Sequence, residues 1–270
     1  MIGATSAPAG IIHNEPEGVY RSSGCVGNSI LSDFLADEMY CYRKHVLKVI
    51  HEDPSKDMKL GSALHSYMEG YQVYRKRYCI KTSGIDLRTA DGKEWARSNA
   101  GKDIIDRKDH IRVSKMAAAI RRNPSTRDLY AGSKREVTVR LHQTPWGVPV
   151  QVRIDAWGSC LVDWKKTQDA EEWPRKLVAY GYHRQAALYS WIVSLALMEP
   201  APPFVFVAVD DNEPYRVRLY TLSEAWMERA KEEVNDGMTR LAHAIRNNDW
   251  KYHNKGVQVL EPKPWQRISA

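Results

Sequence analysis

The chain has 270 residues, 43% of them hydrophobic, which suits one large domain or one domain with an appended subdomain. Its formal net charge of +7 fits a polyanionic partner such as nucleic acid or a membrane surface, although many proteins without such a partner are as basic. The four cysteines are scattered without a C-x-x-C pair, and this spacing argues against a zinc ribbon and against a disulfide framework.

The sequence shows no sign of export or of a membrane span. The N-terminal stretch MIGATSAPAG has neither the charged region nor the apolar region of a signal peptide. No run approaches the ~18 apolar residues that a membrane-spanning helix requires. We therefore expect a soluble cytoplasmic protein that does not bind a membrane.

The first half of the chain is predicted to be mainly helical. Residues 1–27 are small, polar and Gly/Pro-containing, and we expect them to be extended or poorly ordered. Apolar residues then recur at helical spacing over 28–50 and 57–78, and turn formers predict a loop at 82–95. Further helices are expected at 93–105, at 113–121 and after Pro124.

At residue 134 the pattern changes to the two-residue period of β-strands. Three strands are predicted at 134–142, 148–157 and 160–165, and helical spacing returns over 171–197. Two more strands at 203–210 and 215–222 precede a long charged helix at 223–247 and a tail with Trp250 and Trp265. This order predicts an α/β or α+β domain whose sheet begins with antiparallel strands.

The hairpin RIDAWGSCLVDWKKT, residues 153–167, places two aspartates and a lysine among apolar residues. Side chains alternate along a strand, so Asp163 and Lys165 share a face. A two-residue turn would pair Asp155 with Val162 and mix polar with apolar side chains on both faces. A three-residue turn or a bulge pairs Asp155 with Asp163, and we predict this odd-length connection. It would gather one apolar face from Val152, Ile154, Ala156, Val162 and Trp164.

Two adjacent carboxylates repel each other, which raises the pKa of one of them unless a cation lies between them. A hard divalent cation such as Mg²⁺ binds carboxylate and water oxygens and would remove this repulsion. Lys165 would then orient a metal-bound water or help to deprotonate it. The alternative is a surface ion pair between Asp163 and Lys165 in which Asp155 takes no part.

An acidic residue on one strand and acid-x-Lys on the next resemble the motif of the PD-(D/E)XK nuclease superfamily. RIDAWGSCLVDWKK resembles the G-x-I-D…V-D-x-K-T core of its RecB-like branch, with Asp163 where the wider superfamily commonly has glutamate. The resemblance implies a restriction-endonuclease-like core with a central mixed sheet flanked by helices. It implies a single domain at 28–270, with a helical part at 28–132, a nuclease core at 133–222 and a C-terminal helix and tail at 223–270.

Three further segments match this branch in order. Gln185 and Tyr189 form a Q-x-x-x-Y pair whose i, i+4 spacing puts both on one helical face, with ordinary helix–sheet packing as the alternative. His65 in LGSALHSYMEG matches the branch's metal-binding histidine, or else it pairs with Glu69 at the surface. Glu136 matches the acidic residue that begins the first core strand, or else it faces solvent.

Over roughly residues 20–265 the chain resembles the RecE-type exonuclease domain, including TADGKEWARSNAGKDII and GYHRQAALY. Such enzymes and their relative lambda exonuclease degrade one strand of duplex DNA from the 5′ end with Mg²⁺. They form rings and pass the exposed strand to an annealing protein. The resemblance therefore implies a bacterial or phage-encoded 5′–3′ exodeoxyribonuclease that acts on duplex ends in recombination, as a trimeric or tetrameric homo-oligomer.

The resemblance also implies residue roles. The expected catalytic set is Glu136, Asp155, Asp163, Lys165, Gln185 and Tyr189. The expected ligands of Mg²⁺, for which Mn²⁺ would substitute, are His65, Asp155, Asp163 and the backbone carbonyl of Trp164. Four cations are candidate DNA phosphate contacts, or else plain solvated charges: Arg153, Lys166, Arg175 and Arg184. Related nucleases that hold an iron–sulfur cluster use three late cysteines, and because no cysteine follows Cys160 we expect no cluster.

Two other functions remain open. Another nuclease activity on this fold, either single-strand or flap cleavage or endonucleolytic cleavage, would differ in processivity, and an endonuclease would nick closed circles. A non-catalytic DNA-binding module on the same fold would show no Mg²⁺-dependent cleavage. The presence of Asp155, Asp163 and Lys165 together counts against that module, because binding alone needs no metal-centred trio.

Overall fold

The computed structural model describes residues 2–252 together with Gly256, Val257, Val259 and Glu261. Trp265 of the predicted tail lies outside these residues. The strands, in chain order, are β1 (Gly10–Ile12), β2 (Tyr78–Lys81), β3 (Asp103–Asp106), β4 (Lys134–Leu141), β5 (Val150–Trp157), β6 (Leu161–Thr167), β7 (Phe204–Asp210) and β8 (Val217–Tyr220). The helices are α1 (Glu17–Ser22), α2 (Asn28–Ala36), α3 (Glu38–Cys41), α4 (Lys56–Glu69), α5 (Tyr71–Arg77), α6 (Ala90–Ser98), α7 (Arg107–Arg122), α8 (Pro124–Ala131), α9 (Tyr182–Leu197) and α10 (Glu224–Asn247). A π-helical turn (Tyr42–Val46) follows α3, and a 3₁₀ turn (Trp173–Lys176) follows β6.

A six-stranded sheet forms the centre of the protein, in the order β1-β4-β5-β6-β7-β8. β4, β5 and β6 are successive antiparallel neighbours, whereas β6 and β7 run parallel. Parallel neighbours need a long crossover connection, and α9 supplies it between β6 and β7. The sheet is therefore mixed. A separate two-stranded parallel sheet joins β2 and β3.

Helices cover both faces of the central sheet. On one face α2, α9 and α10 pack, with side chains such as Phe34 and Leu188 fully buried. On the other face α4, α5 and α7 bury side chains such as Leu64 and Met116 against Trp164 of β6. Burying a large apolar side chain contributes roughly 1.5–3 kcal/mol. The predicted architecture, a mixed sheet flanked by helices in an α/β fold, is confirmed.

The N-terminal segment 1–27, predicted to be extended or poorly ordered, contains the strand β1 and the helix α1. β1 pairs antiparallel with β4, so it forms one edge of the central sheet. A buried ion pair of 2.7 Å joins Glu15 to Arg140 of β4, and the same guanidinium donates a hydrogen bond to the Pro8 carbonyl. These long-range contacts order a segment that has no local periodicity of its own.

Three local predictions are wrong. The loop expected at 82–95 contains the first residues of α6, which begins at Ala90. The helix expected at 93–105 ends at Ser98, and Asp103–Asp106 forms β3, which pairs parallel with β2. Gly101, with a φ of 84°, lies between the helix and the strand, in a backbone conformation that glycine adopts readily. The helical spacing predicted from residue 171 begins as a 3₁₀ turn, and the α-helix starts only at Tyr182.

In the described part of the chain, no helix combines the length and the apolar composition that crossing a bilayer requires.

Candidate active site

The β5–β6 hairpin has the predicted odd-length connection. Ala156 lies opposite Val162 and Trp157 opposite Leu161, which leaves Gly158–Cys160 as a three-residue turn. Asp155 and Asp163 occupy the next position of this register, just beyond the two backbone pairs. There the Trp164 backbone N–H donates a 2.8 Å hydrogen bond to Asp155 Oδ2, so a side chain replaces a carbonyl as acceptor.

The predicted apolar face of the hairpin is only partly correct. Ala156, Val162 and Trp164 pack on the α4 side of the sheet, whereas Val152 and Ile154 pack on the α9 side. The change of side occurs next to Asp155, whose neighbour on β4 is Glu136. The β4–β5 pairing is regular on both sides of this position but is interrupted at it, and Glu136 has a left-handed φ of 47°. A non-glycine residue in this conformation costs roughly 1–3 kcal/mol and commonly marks a functional site.

Three side chains from three elements form a candidate metal centre. His65 of α4, Glu136 of β4 and Asp155 of β5 have ligand atoms within 4.8 Å of one another. His65 Nδ1 lies 3.2 Å from Asp155 Oδ2, so the histidine faces the site and not Glu69, which pairs with Arg77. One imidazole nitrogen with carboxylate oxygens is a donor set that fits a divalent cation such as Mg²⁺ or Mn²⁺.

The electrostatics of this cluster also fit a cation. Burial, together with the Asp155 carboxylate, raises the pKa of Glu136 to about 8. Burial lowers the pKa of His65, but the carboxylates of Asp155, Asp163 and Glu136 outweigh it and raise that pKa to about 9. Without a cation the cluster therefore retains protons that balance its buried negative charge, and a divalent cation would take their place.

Beside the cluster, Asp163, Lys165 and Gln185 form a closed set of contacts. Lys165 Nζ lies 2.7 Å from Asp163 Oδ2 and donates to Gln185 Oε1 at 3.0 Å, while Gln185 Nε2 donates to Asp163 Oδ1 at 2.6 Å. Burial raises the pKa of Asp163, with Lys165 opposing the rise and Asp155 adding to it. Burial lowers the pKa of Lys165, but Asp163 outweighs it and keeps the pKa above its usual value. The ion pair between Asp163 and Lys165 is thus present, and it is buried.

Gln185 therefore contacts the site from α9, as the Q-x-x-x-Y prediction requires. Tyr189 lies one turn further along α9, partly buried, with its ring 6.0 Å from Phe204. Burial raises the pKa of its hydroxyl, while a hydrogen bond with Gln185 opposes the rise. Tyr189 thus reaches the site through Gln185. Of the expected metal ligands, His65 and Asp155 lie together, and Glu136 is the third member of their cluster. Asp163 instead contacts Lys165 and Gln185.

Two of the four predicted phosphate contacts are committed inside the protein. Arg153 lies 3.2 Å from Glu15, and its guanidinium stacks 4.1 Å from the centre of the Tyr20 ring. Lys166 contacts Asp211 at 3.1 Å. Each of these two cationic side chains is only 10% exposed. Their charges are balanced internally, so this structure leaves them little surface for a phosphate.

The other two predicted contacts are closer to solvent. Arg184 is 22% exposed and lies 3.2 Å from Glu233. Arg175 is 82% exposed and forms a surface ion pair with Glu172. Of the four cations, Arg175 has the greatest freedom to meet a polyanion.

Sequence reasoning missed two aromatic residues at the site. The Tyr182 ring centre lies 4.5 Å from Lys165 Nζ. Tyr182 is three residues before Gln185, so helical spacing could have placed it on the same face. Tyr20 is partly buried near Glu136 and Arg153, which both influence its pKa, and desolvation raises that pKa to about 12. No local signal could have found Tyr20, because it reaches the site from the N-terminal segment.

Comparison with known proteins agrees with this geometry. Residues 28–260 match the profile of a family described as a PDDEXK-like domain of unknown function (DUF3799). A crystal structure from Eubacterium rectale, named "putative exonuclease", superposes with a TM-score of 0.60 at 15% identity, covering 87% of this chain and 90% of that one. At this identity the likeness establishes the fold. No curated protein matches the chain significantly. The chain belongs to the PDDEXK-like domain family DUF3799, within the PD-(D/E)XK superfamily.

Proposed function

We propose that this protein is a divalent-metal-dependent deoxyribonuclease that degrades the 5′-ended strand of linear duplex DNA. The observation that carries the proposal is the cluster of His65, Glu136 and Asp155 beside the buried Asp163–Lys165 pair. A set of metal ligands beside the Lys165 ammonium group, which the ion pair with Asp163 fixes in position, is suited to phosphodiester hydrolysis. A binding module has no need for such a set.

His65, Glu136 and Asp155 would hold the cation, with Mg²⁺ as the proposed ion and Mn²⁺ as its substitute. When bound, the cation stabilises charge on the phosphate and lowers the pKa of water. Asp155 is itself held by the Trp164 N–H, which donates to Oδ2, the oxygen that also lies 3.2 Å from His65 Nδ1. Asp163 is a further candidate ligand, and the Trp164 carbonyl is retained as a proposed one.

Lys165 supplies a positive charge at a defined position. Asp163, Gln185 and the Tyr182 ring restrain its ammonium group on separate sides. A restrained ammonium orients an attacking water and stabilises the negative charge that develops on the phosphate. Gln185 acts as a positioning residue, because it bonds both partners of the ion pair.

The finer parts of the proposal come from the RecE-type resemblance. They are the 5′ polarity, the ring-shaped trimer or tetramer, and a role in recombination with a single-strand annealing partner. We also propose a cytoplasmic location in a bacterium and an origin in a phage or prophage. The exonuclease name of the Eubacterium rectale structure is in keeping with an exonucleolytic activity.

The test is digestion of end-labelled linear duplexes, with and without a 5′ phosphate, in Mg²⁺ and in chelator. We expect metal-dependent shortening of the 5′-ended strand and intact covalently closed circles. Lys165→Ala should lose at least about 100-fold in rate, while the exposed Lys115→Ala serves as the matched control. Nicked circles would indicate an endonuclease, and full activity of Lys165→Ala would refute the assigned site.

A further inference from the structure

A short turn before α9 presents apolar side chains to solvent. It spans residues 177–181, and within it Val178 is 55% and Tyr180 is 64% exposed. Exposed large apolar side chains are common singly, so exposure alone means little. The position of this turn, directly before the helix that carries Gln185, gives the exposure a functional context.

Tyr180 is the solvent-exposed end of a column of near-parallel rings. Its ring centre is 5.7 Å from that of Tyr182, with 21° between the planes. Tyr182 in turn lies 5.4 Å from Trp173 at 8°, and Trp173 lies 5.3 Å from Tyr220 at 18°. Offset stacking at such distances is the favourable arrangement for aromatic rings. The partly buried Tyr182 ring, with the buried Trp173 ring next to it, therefore supports Tyr180.

The column also touches the candidate active site. The Tyr182 ring lies 4.5 Å from Lys165 Nζ, so this one ring contacts both the ammonium group and the Tyr180 ring. A phosphate placed beside Lys165 would carry its nucleotide past these rings. The exposed ring is then within reach of a base on that strand.

The turn holds Tyr180 in a defined place. The Tyr180 N–H donates to the Lys176 carbonyl at 3.0 Å, and the Tyr182 N–H donates to the Leu177 carbonyl at 2.9 Å. Gly181 has a left-handed φ of 66°, and a Cβ there would lie 2.6 Å from Arg184 Nη2. A ring that is already fixed loses little conformational entropy when a ligand stacks on it.

We propose that Tyr180, supported by Tyr182, is a stacking platform for an unpaired nucleobase of the strand whose phosphate lies at Lys165. Every base has an aromatic face, so such a platform binds single-stranded DNA without reading its sequence. Arg175, though paired with Glu172, is largely exposed and offers positive charge to a polyanion, and Arg184 lines the same pocket as Tyr180 together with Glu233 and Asp236. The inference deepens the proposed function and rests on it for the identity of the strand.

The first test measures stacking without cleavage. A duplex carries one unpaired 2-aminopurine at its 5′ end, and the protein is added in chelator so that the DNA stays intact. We expect quenching of the fluorescence by the wild type and by Tyr180→Trp, and a loss of quenching in Tyr180→Leu. Tyr252→Leu is the matched control, because Tyr252 is 76% exposed and follows the last helix.

The second test measures cleavage in Mg²⁺ with unchanged thermal stability as the folding check. Tyr180→Leu should raise KM on the order of 10-fold with kcat little changed, from the known worth of one base stacked on one aromatic ring. Tyr180→Trp should restore KM. A merely structural role for Tyr180 would lower stability and would not be rescued by another aromatic ring in the KM assay.

The outcomes separate this inference from the proposed function. If the wild type cleaves DNA but Tyr180→Leu matches it in both KM and quenching, the platform is refuted and the nuclease stands. If the wild type cleaves nothing while quenching still depends on an aromatic ring at 180, the nuclease is refuted and the platform stands. If the exposed turn at residues 177–181 binds a protein partner and not DNA, we expect the first of these results.

Discussion

The residues at the candidate metal centre are held in protonation states that a cation would reverse. Glu136, with a pKa near 8, and His65, with a pKa near 9, both bind protons at neutral pH. Metal ligands must be deprotonated, so cation binding would release these protons and offset the repulsion between the Glu136 and Asp155 carboxylates. The left-handed Glu136, with its φ of 47°, is a further energetic cost that ligand binding would offset.

Removal of one ligand should therefore abolish stabilisation by metal. A ligand that binds only the folded state stabilises it by RT ln(1 + [L]/Kd), about 2.7 kcal/mol at 100 times Kd. We expect Mg²⁺ or Mn²⁺ to raise the Tm of the wild type and to leave that of Asp155→Asn unchanged. Asparagine still accepts the Trp164 N–H through its oxygen, so the hairpin hydrogen bond is conserved.

Asp236→Asn is the matched control for this measurement. Asp236 lies on α10 with its side chain 69% exposed. Its variant should respond to the cation like the wild type. An equal rise of Tm in Asp155→Asn would show that the cation binds elsewhere.

At the level of secondary-structure elements, two patterns make positions predictable from the sequence. They are the alternation of side chains along a strand and the i, i+4 spacing of side chains on a helix. The three-residue turn of the β5–β6 hairpin follows from Asp155 and Asp163, and the position of Gln185 follows from an i, i+4 pattern. The partners of Arg153 could not be predicted in this way. They are Glu15 and Tyr20, which come from a segment without periodicity and meet β5 only in the folded chain.

The buried ion pair that ties this segment to β4 should be important for stability. Arg140 is fully buried, and removal of one partner of a buried pair typically costs 3–5 kcal/mol. Arg140 retains bonds to Gln151 and to the Pro8 carbonyl, so we expect Glu15→Gln to lower the free energy of unfolding by roughly 3 kcal/mol. Urea denaturation measures this change.

Glu94→Gln is the control for the ion pair. Glu94 pairs with Arg97 on the surface of α6, with side chains 66% and 73% exposed. Exposed pairs contribute about 0–1 kcal/mol, so this variant should unfold almost like the wild type. Equal losses in the two variants would mean that burial of the Glu15–Arg140 pair has no special effect.

For the whole molecule, the net charge of +7 overstates the number of cations available to DNA. Arg153 and Lys166 are each balanced by carboxylates and are only 10% exposed. Composition reports how many charges the chain carries, and only the fold determines which of them are neutralised. The number of cations in the sequence therefore does not predict which of them can contact a phosphate.

The salt dependence of DNA binding tests this distinction. Each phosphate contact contributes about −0.9 to the slope of log K against log[salt] for duplex DNA. Arg175→Gln should make the slope shallower by about that amount, as measured by fluorescence anisotropy in chelator. Arg175 is 82% exposed, so its variant should fold normally.

Lys166→Gln provides the comparison. It should leave the slope unchanged and lower thermal stability, because Lys166 faces Asp211, whose side chain is only 6% exposed. A shallower slope for Lys166→Gln with an unchanged one for Arg175→Gln would reverse our assignment of the available cations.

The pairing of β1 with β4 also bears on biosynthesis. Gly10–Ile12 leaves the ribosome early, whereas its partner Thr138–Arg140 is translated only after the whole helical half of the protein. Until β1 docks, β4 is an open sheet edge of eight residues, the kind of surface that recruits strands from other chains. β1 pairs with three of these eight residues, so its docking shortens the β4 edge that is open to strands of other chains.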